Sequence, residues 1–263
     1  MENWKLVAQM DVKNAFLHGD LQEDVYMTLP KGYASIGSRV NVQQEEQRGP
    51  EGQGQLVCKL NKSLYGIKQA PRNWFSKLST ALISHRFHQS KSDHTLFLKN
   101  KGSTIVIVLM YVDDWILAGN STKELEDTKH FLSSSFHMKD LGELRYFLGI
   151  EVDRSSQGIF LSQRKYTLDI LKEYGMLNAR KLKVQMDSTV KLTADQGGPL
   201  PDPVAYQKLT GKLLYLTLTR PDVAYSVHIL SQFMQAPTTA HIQAARRVLR
   251  YLANSPEQGI LLA

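Results

Sequence analysis

Residues 104–119 read TIVIVLMYVDDWILAG, and this stretch decides the fold. Ile105 to Val112 is an apolar, largely β-branched run, shorter than the roughly 18 to 20 residues of a membrane span and suited to a buried strand. A second apolar stretch begins at Trp115 after only Asp113 and Asp114, so the pattern is strand, tight turn, strand. Two adjacent carboxylates then stand at a hairpin tip. Asp favours turns and solvates easily, which is the plain explanation of an Asp-Asp pair. Aromatic and β-branched neighbours on both sides make this copy less ordinary.

Outward from the hairpin, a second carboxylate position emerges. Between Trp4 and Val12, the side chains Leu6, Val7, Ala8 and Met10 make a mostly apolar strand with Asp11 at its end. Phosphoryl transfer to a nucleotide uses two divalent cations roughly 3.5 to 4 Å apart, and hard cations such as Mg²⁺ take oxygen ligands. If the strand ending at Asp11 lies beside the Tyr111 hairpin, Asp11 and Asp113 converge on one site.

The remaining pattern is mixed. Val25 to Leu29 reads as a short strand, residues 34–55 as a loop or mobile insertion rich in Gly, Gln, Glu and Ser, and Leu56 to Leu60 as a strand again. A helix follows with Pro71 in its first turn and Trp74, Phe75, Leu78, Ala81 and Leu82 on one face. TLFLK is a strand joined to the central one through Asn100, Lys101 and Gly102, and Ser121 with Glu124 forms a capping box for a helix carrying Leu125, Thr128, Leu132 and Phe136. LRYFLGIEV and GIFLSQ read as a hairpin, followed by a helix that ends at Gly175. Beyond Met186 a Gly/Pro-rich linker precedes three helical patterns, from Tyr206, Pro221 and Thr238, with no strand between them. The last sets Ile242, Ala245, Leu249 and Leu252 on one face and turns Gln243, Arg247 and Arg250 away.

Composition limits the class. With 263 residues the chain makes one large domain or two small ones, and 42% hydrophobic against 22% charged residues is an ordinary globular balance. Lys and Arg outnumber Asp and Glu by 32 to 25, giving +7, the sign expected of a surface that meets phosphates. Cys58 is the only cysteine, which excludes an intramolecular disulfide and a cysteine-based zinc cluster and fits a reducing compartment. The start lacks signal-peptide features, so the expected location is intracellular and non-secreted, with no membrane partner. HExxH, GxSxG, GxGxxG and GxxxxGK[ST] arrangements are absent, which removes the usual metalloprotease, serine-hydrolase, dinucleotide and ATPase readings.

Five blocks in order, QMDVKNAFLHGDL, CKLNKSLYGIKQAPRNWF, LMYVDDWILAG, MKDLGELRYFLGIEV and LTRPDVAYSV, resemble the reverse transcriptase of copia-type long-terminal-repeat retrotransposons. The likeness covers nearly all of the chain except the loop from Ala34 to Gln55. It implies an α+β fold: a polymerase palm of antiparallel sheet and covering helices (residues 1–20 and 71–185), partial fingers (21–70), a linker (186–204) and a C-terminal helical thumb-like region (205–263).

By the same resemblance Asp11, Asp113 and Asp114 are the catalytic carboxylates, and Asp11, Val12 through its carbonyl, Asp113 and Asp114 hold two Mg²⁺ ions, with Mn²⁺ as an alternative. Phe16 resembles an aromatic gate against the ribose 2′ hydroxyl, with a core phenylalanine as the alternative. Lys68, Gln69 and Pro71 resemble the motif that faces template and incoming nucleotide, and Leu148 and Gly149 the primer grip. Arg246, Arg247 and Arg250 are candidates for the nucleic-acid backbone, or a solvated helix face. Implied partners are an RNA or DNA template with primer, deoxynucleoside triphosphates, and the RNase H and integrase domains of a full-length element.

In the family a lysine and an arginine on upstream strands hold the triphosphate, and an RNase H domain follows downstream. The sequence lacks both, so two expectations stand: a working RNA-directed DNA polymerase, or a truncated, catalytically inactive transposon relic with residual nucleic-acid binding.

Overall fold

A computed structural model of the chain describes residues 6–31, 57–186 and 191–263. Trp4 and Lys5 of the first strand, the loop expected over 34–55 and residues 187–190 of the expected linker lie outside them. The chain divides into two compact units between Leu144 and Arg145. That division falls inside the 71–185 span that the sequence groups as one stretch.

The first unit runs β1 (Leu6–Val12), a 3-10 turn (Ala15–His18), β2 (Tyr26–Thr28), β3 (Val57–Lys59), α1 (Ala70–Ser84), β4 (His88–Gln89), β5 (Leu96–Lys101), β6 (Thr104–Tyr111), β7 (Asp114–Gly119), α2 (Thr122–Ser135) and β8 (Met138–Glu143). Among the described residues, β2 pairs with β3, and the other strands form one antiparallel sheet in the order β4-β5-β6-β7-β1-β8. Strict alternation explains it. Val106, Val108 and Met110 of β6 and Trp115 and Leu117 of β7 are buried, as are Met10 and Val12 of β1. They pack against Trp74, Leu78 and Leu82 of α1 and Leu125 and Leu132 of α2. Each such large side chain contributes about 1.5–3 kcal/mol on burial, so one apolar face fixes both sheet register and helix placement.

Three local readings are corrected. The β5–β6 turn is Gly102–Ser103, since Lys101 pairs with Thr104 and keeps Asn100 and Lys101 in the strand; Gly102 takes φ 63°, the left-handed turn geometry. The Ser121 capping box is half formed. Ser121 Oγ accepts from the Glu124 amide at 3.5 Å, but the Glu124 carboxylate turns to Lys101 (3.2 Å) and Lys99 (3.4 Å) instead of reaching back. The strand β8 had no counterpart in the sequence reading. All of it but Met138 is exposed, so no alternation marks it, and backbone pairing to β1 holds it in place.

The second unit runs β9 (Tyr146–Phe147), β10 (Ile150–Ser155), β11 (Gly158–Ser162), α3 (Arg164–Glu173), α4 (Pro203–Leu216), α5 (Ala224–Ser231), α6 (Thr239–Leu252) and β12 (Gly259–Leu262). Its sheet is antiparallel in the order β12-β11-β10-β9. Ile170, Leu171, Tyr206, Leu209, Leu213, Val227, Leu230, Ala245, Val248 and Leu249, from all four helices, make its core. The terminal strand β12 was not legible in four residues. It packs so closely on β11 that a side chain at Gly259 would run into the Leu161 carbonyl. The end of the linker is tied down: the Leu200 amide donates to Pro237 (3.0 Å), and Thr238 Oγ1 donates to the Gln196 carbonyl (2.6 Å).

Within this unit, Arg220 is 1% exposed and fully engaged. Its Nε and Nη2 donate to Asp222 Oδ1 and Oδ2 (3.0 and 2.8 Å), and Nη1 donates to the Ser255 carbonyl (2.8 Å). The Tyr251 hydroxyl donates to Asp222 Oδ2 (2.8 Å), and the guanidinium lies 5.8 Å from the centre of the Tyr251 ring. Among the described residues no helix is long and apolar enough to cross a membrane.

Candidate active site

Tyr111 pairs with Asp114, so Val112 and Asp113 are the two-residue tip of the β6–β7 hairpin. Val112 has φ 53°, a conformation that such turns usually give to glycine and that costs a β-branched residue of order 1–3 kcal/mol. The surroundings hold it there. Trp74 Nε1, from α1, and Trp115 Nε1 both donate to the Val112 carbonyl, at 3.2 and 3.4 Å. Both indoles are buried, and a buried indole N–H needs an acceptor. The Val12 amide donates to the Asp113 carbonyl at 2.9 Å, which fixes the tip to the end of β1. Trp74→Phe keeps an aromatic side chain but removes the N–H donor and part of the buried indole volume, so it should lower the stability of the first unit by about 1 kcal/mol for the hydrogen bond and by more for the space left in the core, as read in urea unfolding.

The register brings the sequence-distant acids together. Asp11 and Asp114 are direct cross-strand partners, one step beyond the core pair Met10–Trp115, and therefore share the face opposite those two side chains. Like charges directly opposite each other destabilise a sheet, so this pair works against the fold that contains it. Asp113 is adjacent. Its Oδ2 accepts from the Tyr65 hydroxyl at 3.1 Å, while its Oδ1 is buried with no hydrogen-bond partner among the described residues. Burial first, and then the charges of Asp11 and Asp114, hold the Asp113 carboxyl above the usual carboxylate range against the opposing Tyr65 hydrogen bond. The Tyr65 hydroxyl is itself pushed up, by burial and by Asp113.

Phe16 lies on the 3-10 turn that follows β1, half-buried against the core, with its ring centre 4.6 Å from that of Tyr65. Lys68 is exposed, Gln69 stands at the N-cap position of α1 with no side-chain capping bond, and Pro71 sits in its first turn. The structure thus gathers Asp11, Val12, Asp113, Asp114, Phe16 and Tyr65. Sequence reasoning passed over Tyr65 and took Trp74 only as core. The one signal for Tyr65 was its place in the block CKLNKSLYGIKQAPRNWF.

The other expected residues belong to the second unit. Phe147 pairs with Ile150, so Leu148 and Gly149 are a two-residue turn with both φ values positive (48° and 84°), a type I′ geometry. The Tyr215 hydroxyl donates to the Leu148 carbonyl. On α6, Arg246 and Arg250 are exposed, as expected. Arg247 is not turned away: it is half-buried, and its Nε has no partner among the described residues. The helical period carries position 247 to the edge of the buried stripe beside Val248.

Among the described residues no group of three or more His, Cys, Asp or Glu side chains is gathered as a ready metal cage. The donor set nonetheless suits Mg²⁺. It consists of hard carboxylate oxygens, one of them buried and unpartnered, and Mg²⁺ is commonly held by one or two carboxylates together with substrate phosphates.

Comparison with known proteins shows the family. Residues 1–188 match the family described as reverse transcriptase (RNA-dependent DNA polymerase). The Retrovirus-related Pol polyprotein from transposon RE2 of Arabidopsis thaliana is 44% identical over 256 residues, 97% of this chain and 17% of that protein. The corresponding polyprotein from transposon TNT 1-94 of Nicotiana tabacum is 36% identical over 94% of this chain and 18% of its own length. A putative transposon Ty5-1 protein of Saccharomyces cerevisiae is 31% identical over 92% of this chain and 75% of its own. The chain spans about a sixth of the two plant polyproteins. It belongs to the reverse transcriptase family of copia-type retrotransposon Pol polyproteins.

Proposed function

We propose that the chain catalyses RNA-directed DNA synthesis as one domain of a Pol polyprotein, adding deoxynucleotides to a primer 3′ hydroxyl. The observation that carries this is the pairing of Asp11 with Asp114 beside the buried, unpartnered Asp113 Oδ1. On this reading the six-stranded sheet with α1 and α2 is the palm, β2 and β3 belong to the fingers, and the helices of the second unit form the thumb-like region. Asp11, Asp113 and the Val12 carbonyl would hold two Mg²⁺ ions, with Asp114 a less direct ligand. When bound, the ions lower the pKa of the primer hydroxyl and neutralise charge developing on the α-phosphate.

The chain's own residues supply placement. The two indoles and the Val12 amide hold the carboxylate tip still, and pre-organised ligands spend no energy on rearrangement during reaction. Phe16 takes the position beside the sugar of the incoming nucleotide. Gln69, Lys68 and Pro71 present the head of α1 to template and nucleotide, and the Leu148–Gly149 turn contacts the primer. Primer extension on an RNA template with Mg²⁺ tests the proposal. Template-dependent incorporation that disappears in Asp11→Asn supports it, and incorporation indifferent to that change overturns it.

A duplex-binding role for α6 has its own test. Each phosphate that a side chain no longer neutralises reduces the slope of log K against log salt by roughly 0.9. Arg246→Ala with Arg250→Ala should therefore flatten the slope by about 2 in a primer-template titration. An unchanged slope would leave the helix face simply solvated.

A further inference from the structure

Tyr65 has no part in the roles proposed above, yet it touches two of the residues that carry them. Its ring meets Phe16 and its hydroxyl donates to Asp113 Oδ2, while 53% of the residue is exposed. Core packing therefore does not account for its position. Its backbone is set by a short series of turns: the Ser63 amide donates to the Gly19 carbonyl (3.0 Å), the Ile67 amide to Leu64 (3.2 Å), and Gly66 takes φ 94° immediately after Tyr65. The loop that carries Tyr65 is thus tied to the segment following β1, the same segment that carries Phe16.

The consequence for Asp113 is geometric. Its carbonyl is held by the Val12 amide and its Oδ2 by Tyr65, so Oδ1 is the one oxygen left buried and unpartnered. A carboxylate ligand is usually oriented in this way, one oxygen taken by a hydrogen-bond donor and the other presented to the cation. We propose that Tyr65 is a positioning residue, orienting the Asp113 carboxylate toward a divalent cation and tying it to the ring of Phe16. Metal ligand and nucleotide-facing aromatic then share one support. This rests on the reading of Asp113 as a metal ligand.

The test is Mn²⁺ binding to the full chain, followed by electron paramagnetic resonance, for the parent, Tyr65→Phe and Asp113→Asn. Tyr65→Phe keeps the ring against Phe16 and removes only the hydroxyl. It should weaken Mn²⁺ binding by about 10-fold, the low end for loss of a ligand's hydrogen-bond partner, with the melting temperature lowered by no more than the few degrees that one lost hydrogen bond costs. In primer extension it should raise the Mg²⁺ concentration needed for half-maximal rate and leave the nucleotide KM near the parent value. Tyr65→Ala, which also removes the ring, should raise both. Parent-like or tighter Mn²⁺ binding by Tyr65→Phe, with Asp113→Asn weakened, overturns the role of Tyr65 alone. Parent-like binding by Asp113→Asn overturns the metal reading of Asp113 and this proposal with it.

Discussion

Asp113→Asn is expected to reduce RNA-templated primer extension by roughly 10²–10³-fold or more while making the metal-free first unit harder to unfold at neutral pH. The loss follows from removing a charged oxygen where transition-state charge is neutralised. The gain follows from linkage. Burial, with Asp11 and Asp114 behind it, raises the Asp113 carboxyl in the folded chain, so the folded state binds its proton more tightly than the unfolded state does. For a raised carboxyl, stability is lost as pH climbs from the unfolded value, about 3.9, through the folded one, and the whole cost is present at pH 7. The amide has no such proton, so the stabilising effect should be full at pH 7, fade as pH falls through the raised folded value and be gone below about 4. All three tryptophans lie in residues 1–144, and Trp74 and Trp115 touch the tip itself, so tryptophan fluorescence during urea unfolding reads the right unit. A variant that loses activity and also loses stability at pH 7 would show Asp113 to be a structural residue.

Arg220→Met should destabilise the second unit by about 3 kcal/mol. The figure is at the low end for breaking a buried ion pair because the Asp222 side chain, left without its partner, is still 23% exposed. Burial tends to raise the Asp222 carboxyl, but hydrogen bonds from Arg220 and Tyr251 outweigh it and hold the group below the usual carboxylate range. A depressed carboxyl contributes stability above its unfolded value and loses it as pH falls through the folded one. The gap between parent and variant should therefore narrow in acid. With no tryptophan beyond Trp115, hydrogen exchange of the α6 amides is the suitable readout. Replacing Asp222 with Leu in the same chain should restore part of the loss, since the stranded charge is gone.

Legibility in the sequence followed the strength of the apolar pattern. The strands β6 and β7 and the helices α1 and α2 bury alternate or i, i+4 side chains, and their positions could be read directly. β8 and β12 could not, because what holds them is backbone pairing to a neighbour, which leaves no mark on side-chain period. At the site, Asp11 and Asp113 stood out as charges ending apolar runs. Tyr65 and the second role of Trp74 did not, since a hydroxyl on Oδ2 or an indole on a carbonyl depends on loops meeting in space. Arg247 shows the converse: a charge at a helical position reads as solvated until the width of the buried stripe is known.

The turn between Tyr111 and Asp114 also limits how copies of such a gene can change. Losing one codon there leaves too few residues to close the hairpin in register, and slipping by one would exchange the faces of Trp115 and Leu117 with those of Asp114 and Ile116. Gaining one codon spares the strands but lengthens the tip and pulls the Asp113 carbonyl away from the Val12 amide. A frame-preserving length change, which surface loops ordinarily absorb, is expected here to break either the register or the tie to β1, whereas substitutions of the exposed side chains at 111 and 112 are expected to leave the strand pairing standing wherever the new residue accepts the backbone, φ 53° at Val112.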